Sequence, residues 1–146
     1  MMIDRRDVLV SGASAAALGM LPWAALAQDA EAEKTMDELI AEFTGGAEVT
    51  DGEGIAIDAP EIAENGNTVP VSVEAEGASE ILVLAPGNPV AAVATFKFGE
   101  LAGKHIASTR IRLAQTQDVT AIAKLADGKF VRTASNVKVT IGGCGG

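Results

Sequence analysis

The chain carries one cysteine, and its neighbours are unusual. Cys144 stands in Gly142-Gly143-Cys144-Gly145-Gly146, so no residue within two positions of the sulfur has a side chain. A thiolate is a nucleophile and can form a bond to sulfur, and it does so best when nearby cations or a helix N-terminus lower its pKa. Here the nearest basic residue in sequence is Lys138, and the chain as a whole is acidic, with a formal net charge of −9. No local activator is evident. The pattern therefore predicts an attachment point worked on by other proteins rather than a self-contained nucleophilic enzyme. Glycine lacks a Cβ and admits backbone angles closed to other residues. The run is expected to be a flexible arm, with Cys144 roughly 10 Å beyond Ile141 when extended. A thiol on so thin a tether can enter a narrow cleft on another protein. The plainer reading is a terminal linker whose cysteine is incidental.

Other chemistry is poorly represented. A metal site needs clustered His, Cys, Asp or Glu, and the chain has one His and one Cys, far apart. His105, beside Lys104 at the start of an alternating segment, reads as a surface residue. There is no phosphate loop, dinucleotide fingerprint or nucleophile elbow. No cofactor is expected, and no metal. Arg110, Arg112, Lys124 and Arg132 read as solvated side chains. Strong acidity argues against nucleic acid and against an anionic membrane surface as partners.

The elements that must hold the arm follow in chain order. Residues 1–27 read as a signal peptide: Arg5-Arg6, a weakly apolar run from Val8 to Leu26, and the small-x-small sequence Ala25-Leu26-Ala27. The arginine pair points to Tat export and hence the periplasm. Asp4 and Val10 depart from the usual Tat pattern, which leaves a Sec signal as the alternative. The run is too short and too weakly hydrophobic for a membrane span. An unpaired cysteine in an exported protein suggests intermolecular chemistry. Because the Tat route carries folded proteins and no cofactor motif is present, a partner subunit exported together is the economical explanation.

Residues 28–141 read as one domain. Thr35 and Glu38 have capping-box spacing, Met36, Leu39, Ile40 and Phe43 form one stripe, and Gly45-Gly46 is a stop. Beyond Val49 the pattern changes to strands: Ile55–Asp58, Thr68–Glu76, Ile81–Leu84, Val90–Phe98, His105–Leu113, Val119–Leu125, Lys129–Thr133 and Val137–Ile141. Pro60–Asn67 reads as a connection with a turn at Asn65-Gly66, and Asp127-Gly128 as a hairpin turn. Seven or so short strands without intervening helices predict an all-β fold, an antiparallel β-sandwich with one short N-terminal helix. The arm, residues 142–146, follows directly from the last strand.

With the arm, the signal and the sandwich in place, the chain resembles the SoxY family of sulfur carriers. The residues that carry the resemblance are Gly142-Gly143-Cys144-Gly145-Gly146, the run Pro60-Glu61-Ile62-Ala63-Glu64-Asn65-Gly66 continuing to Val69-Pro70-Val71, and the twin arginine. The resemblance implies an immunoglobulin-like sandwich paired with a SoxZ-like subunit. It implies that a Sox c-type cytochrome joins thiosulfate to Cys144 as an S-thiosulfonate. A hydrolase then releases sulfate, and a sulfur dehydrogenase oxidises the persulfide sulfur in some organisms. Three rivals remain: an exported binding or interaction module with an incidental thiol, a Gly-Gly carrier activated at its terminal carboxylate, and a redox enzyme using Cys144 directly.

Overall fold

The computed structural model describes residues 34–142. The signal-peptide reading, and Gly143, Cys144, Gly145 and Gly146 of the arm, lie outside the described residues.

The chain opens with helix α1, Met36–Thr44. Thr35 caps it: its hydroxyl accepts the Glu38 amide, and the Glu38 carboxylate accepts the Thr35 amide at 2.7 Å. This reciprocal pairing satisfies amides that the first turn leaves without partners. Gly45 ends the helix in a left-handed conformation, φ 65°.

Nine strands follow among the described residues: β1 Val49–Asp51, β2 Ala56–Asp58, β3 Ile62–Ala63, β4 Val69–Glu74, β5 Ala78–Leu84, β6 Ala92–Lys97, β7 Ile106–Ile111, β8 Gln117–Leu125 and β9 Phe130–Val139. They form two sheets. The larger runs β1-β9-β8-β5-β6, with β3 also along β9, and the smaller runs β2-β4-β7. The sandwich is antiparallel except along one edge of β9. There β1 pairs in parallel with its first half and β3 with its end, Ile62 opposite Lys138.

Alternation explains which residues meet between the sheets. Val69, Val71, Val73 and Ala75 point inward from β4 and its end, and Ile111 and Leu113 from β7 and its end; all are buried. Pro70 can sit in the middle strand of the small sheet because its partner there is Arg110 alone. Pairing to β2 begins only at Ser72, so the missing proline N–H leaves no gap in the ladder. β5 is different. Ile81 and Val83 join the core between the sheets, whereas Leu82 and Leu84 face the other way and pack with Ile122, Phe130 and the α1 stripe. The continuous apolar run Ile81–Leu84 is thus a strand covered on both faces. Phe43 meets Phe130 edge-on, with ring centroids 5.7 Å apart.

The structure adjusts four sequence expectations. The Pro60–Asn67 connection contains a strand, β3, too short for alternation to show. Lys129–Thr133 and Val137–Ile141 are one strand, because small and polar Ala134, Ser135 and Asn136 continue the ladder opposite Thr120, Val119 and Asp118. That strand ends at Val139, so Thr140 and Ile141 lie between it and the arm. His105 is half-buried rather than on the open surface. Its Nδ1 accepts the Gly77 amide at 2.9 Å and its ring meets Phe98 edge-on.

Among the described residues, three carboxylates are held below their usual range by hydrogen bonds: Asp51 by Arg132, Glu38 by the Thr35 amide and Asp127 by the Lys129 amide. A carboxylate whose folded pKa is depressed stabilises the fold above its unfolded pKa, and that contribution is lost as pH falls through the folded value. The urea midpoint, followed by far-UV circular dichroism, should therefore hold from neutral pH to about pH 5 and fall below about pH 4. Asp51→Asn should flatten part of that fall; an unchanged acid limb would show that the pairing with Arg132 contributes nothing. No helix among the described residues is long and apolar enough to cross a membrane.

Candidate functional site: the root of the arm

β9 delivers the chain to one end of the sandwich, where three loops converge on it. From residues 61–66, Lys138 N–H reaches the Glu61 carbonyl at 2.9 Å and Thr140 N–H the Ala63 carbonyl at 3.0 Å. The Thr140 hydroxyl donates to the Glu64 carbonyl at 2.9 Å. From the loop before β8, the Thr116 hydroxyl accepts the Val139 amide at 2.9 Å. Gly66 bridges the two loops. Its amide donates to the Ile141 carbonyl at 2.7 Å, and its carbonyl accepts the Leu113 amide at 2.8 Å. Gly66 is buried and its φ is not positive. Asn65-Gly66 therefore makes a turn whose glycine is bonded through both its N–H and its C=O, to Ile141 and to Leu113.

Gly142, the arm residue that is described, is closely packed. A Cβ at this position would run into the carbonyl group of Ala114. Ala114 is in turn held from the third loop. The Asn88 side chain accepts the Ala114 amide at 2.9 Å and donates to the Arg112 carbonyl at 2.7 Å. Gln117, buried at the start of β8, donates to Asn88 at 2.9 Å and accepts the Gly87 amide at 2.7 Å. Every side-chain nitrogen and oxygen of Asn88 and Gln117 has a partner, which is what makes a buried polar network hold its shape.

Sequence reasoning placed Cys144 and the four arm glycines together by adjacency, but it missed Gly66, Asn88, Ala114 and Gln117. Their contacts link residues distant in sequence, so no local pattern announces them. The one available signal was the Pro60–Gly66 run, noted for its resemblance and not for its contacts. His105 lies elsewhere, with Gly77 and Phe98. Arg132 pairs with Asp51 through both nitrogens of one edge of its guanidinium, and Arg110 and Arg112 are exposed. Among the described residues, no group of three or more His, Cys, Asp or Glu side chains is placed to hold a metal ion.

Residues 40–144 match the family described as Sulfur oxidation protein SoxY. The chain belongs to the SoxY family. The match spans the sandwich, the root and the arm as far as Cys144. Among solved structures, the chain is similar to the sulfur carrier protein SoxY from Chlorobium limicola f thiosulfatophilum. The two are 37% identical, the alignment covers 73% of this chain and 97% of that one, and the TM-score is 0.65. The superoxide reductase (neelaredoxin) from Ignicoccus hospitalis is similar at 15% identity over 60% of this chain and 80% of that one, with a TM-score of 0.53. That likeness concerns the fold alone. Comparison with curated proteins returns no match. The SoxY-type sandwich expected from the sequence is thus the fold observed, with the root of the arm built into its end.

Proposed function

We propose that the protein is a covalent carrier of sulfur intermediates in sulfur oxidation, holding them on Cys144 and presenting them to partner enzymes. The observation that carries this is the family match, which runs through the sandwich and reaches the one cysteine of the chain. The Chlorobium protein, described as a sulfur carrier, supports it.

The chemistry balances without an activator on this chain. The Cys144 thiolate and thiosulfate form a sulfur–sulfur bond, and the two electrons released are taken, one at a time, by a c-type cytochrome acting as the oxidant. The product is an S-thiosulfonate. Water then cleaves the bond between the outer sulfane sulfur and the sulfonate group in a hydrolase, releasing sulfate and a proton and leaving a persulfide. A sulfur dehydrogenase is the partner able to oxidise that remaining sulfur. No cofactor is needed on the carrier, and it turns nothing over alone. A SoxZ-like subunit completes the carrier as a heterodimer. The Arg5-Arg6 signal takes it to the periplasm by the Tat route.

Intact mass of the protein purified from its own periplasm, before and after a reductant, tests the reading. Reductant-sensitive additions matching sulfur or thiosulfate, mapped to the Cys144 peptide, are expected. A clean thiol that stays clean after exposure to thiosulfate and periplasmic extract would overturn it in favour of an interaction module with an incidental cysteine.

A further inference from the structure

An arm is only as long as its free part. We propose that Gly142 is the fixed base of the arm and not its first flexible joint, so that the tether begins at Gly143, with Gly66 and Ala114 as positioning residues for the thiol. The proposal rests on the reading of Cys144 as the attachment point.

Three observations carry it. The Ile141 carbonyl is tied to the buried Gly66 amide at 2.7 Å, the shortest of the backbone bonds at this end. Gly142 lies so close to the Ala114 carbonyl that any side chain would have to displace it. Behind Ala114 stands the Asn88–Gln117 network, whose bonds of 2.7–2.9 Å connect the two loops. The root is thus tied at Ile141 by Gly66 and crowded at Gly142 by Ala114. The glycine at 142 is there for close approach, a use distinct from flexibility.

The consequence is metric. From a base at Gly142, the Cα of Cys144 reaches roughly 7 Å, against roughly 10 Å from Ile141. A partner's cleft must then come up to this end of the sandwich for the thiol to enter. A short tether also confines the thiol to a small volume, which raises its effective concentration at a docked cleft. It lowers the conformational freedom given up on entry.

Backbone ¹⁵N relaxation on the reduced mature protein tests this without any sulfur chemistry. The order parameter should stay near the rigid value of about 0.85 through Gly142 and drop below about 0.6 from Gly143 onward. A gradual decline beginning at Thr140, or equal mobility at Gly142 and Gly143, would overturn the proposal. Gly142→Ala and Asn88→Ala should each move the drop back to Thr140 or Ile141, with the sheet amides unchanged. If the drop stays between 142 and 143 in both variants, Ala114 and Asn88 are not what fixes the base. A second readout separates positioning from mere structure. Alkylation of Cys144 by iodoacetamide should run at wild-type rate in both variants, whereas the KM of a partner enzyme for the carrier should rise severalfold with kcat little changed. Failure of Cys144 to load sulfur would sink the carrier reading and leave the relaxation profile standing; a gradual profile would do the reverse.

Discussion

Cys144→Ser should reduce thiosulfate-dependent sulfate release, in a system reconstituted from the carrier and its partner enzymes, to the level seen with no carrier at all. The expectation is this severe because the chain has a single cysteine and therefore no substitute. A serine hydroxyl cannot form the sulfur–sulfur bond on which every later step depends. The effect is on chemistry and not on the fold. The core between the sheets is assembled from residues between Ile55 and Val137, so the thermal midpoint of the variant should match that of the parent. Sulfate release persisting at anything near the parent rate would sink the carrier assignment. Deleting Gly146 provides the contrast. A carrier activated at its terminal carboxylate would lose all function, whereas a carrier working through Cys144 would be disturbed only slightly.

What the sequence revealed, and what it hid, divides along the range of the contacts involved. The helix was legible because its signals are local: a cap at Thr35, a partner at Glu38, a stripe of one period and a glycine stop. β4 was legible because one of its faces meets water, which forces alternation. β5 could be read as buried on both faces from its unbroken run, although nothing local said that α1 supplies the second cover. The arm was an expectation from composition alone, and beyond Gly142 it lies outside the described residues. β3 was hidden because two residues cannot display a period, and because its partner, the end of β9, lies more than seventy residues away. β9 was read as two strands because Ala134-Ser135-Asn136 carries no apolar signal, yet those residues hold their ladder positions against β8. The grip on Gly142 was hidden for the same reason. It depends on Asn88, Ala114 and Gly66, three residues brought together only by the closing of the sandwich. Glycine is ambiguous in a sequence between freedom and close approach, and only the neighbour found at each position decides which use is made of it.

Leu113→Ala should be the most damaging single change to the body among those that also touch the arm. Leu113 is fully buried between the sheets, and the residue that follows it is Ala114. Removing a buried leucine side chain to the β-carbon costs about 2–5 kcal/mol, the spread depending on how far the surroundings collapse into the gap. Collapse is hindered here because Val69 and Val137, also fully buried, belong to strands fixed in their ladders. For a domain of this size the thermal midpoint should fall by roughly 10–20 °C. The chain has no tyrosine, and its one tryptophan, Trp23, lies outside the domain described, so far-UV circular dichroism is the practical probe. Leu101→Ala is the matched control: that side chain is wholly exposed, and its loss should change stability by less than about 0.5 kcal/mol. The variant also separates two roles of the same residue. The Leu113→Ala backbone amide still donates to Gly66, so the bond to that loop survives while the buried side chain next to Ala114 in the chain is gone. If the arm is positioned by its root, sublethal loosening should appear at Gly66, Ala114 and Gly142 before it appears in β5 or β8, and hydrogen exchange below the melting transition would resolve that order. Uniform loosening of all strands together would show that the root is no more than a passive extension of the core.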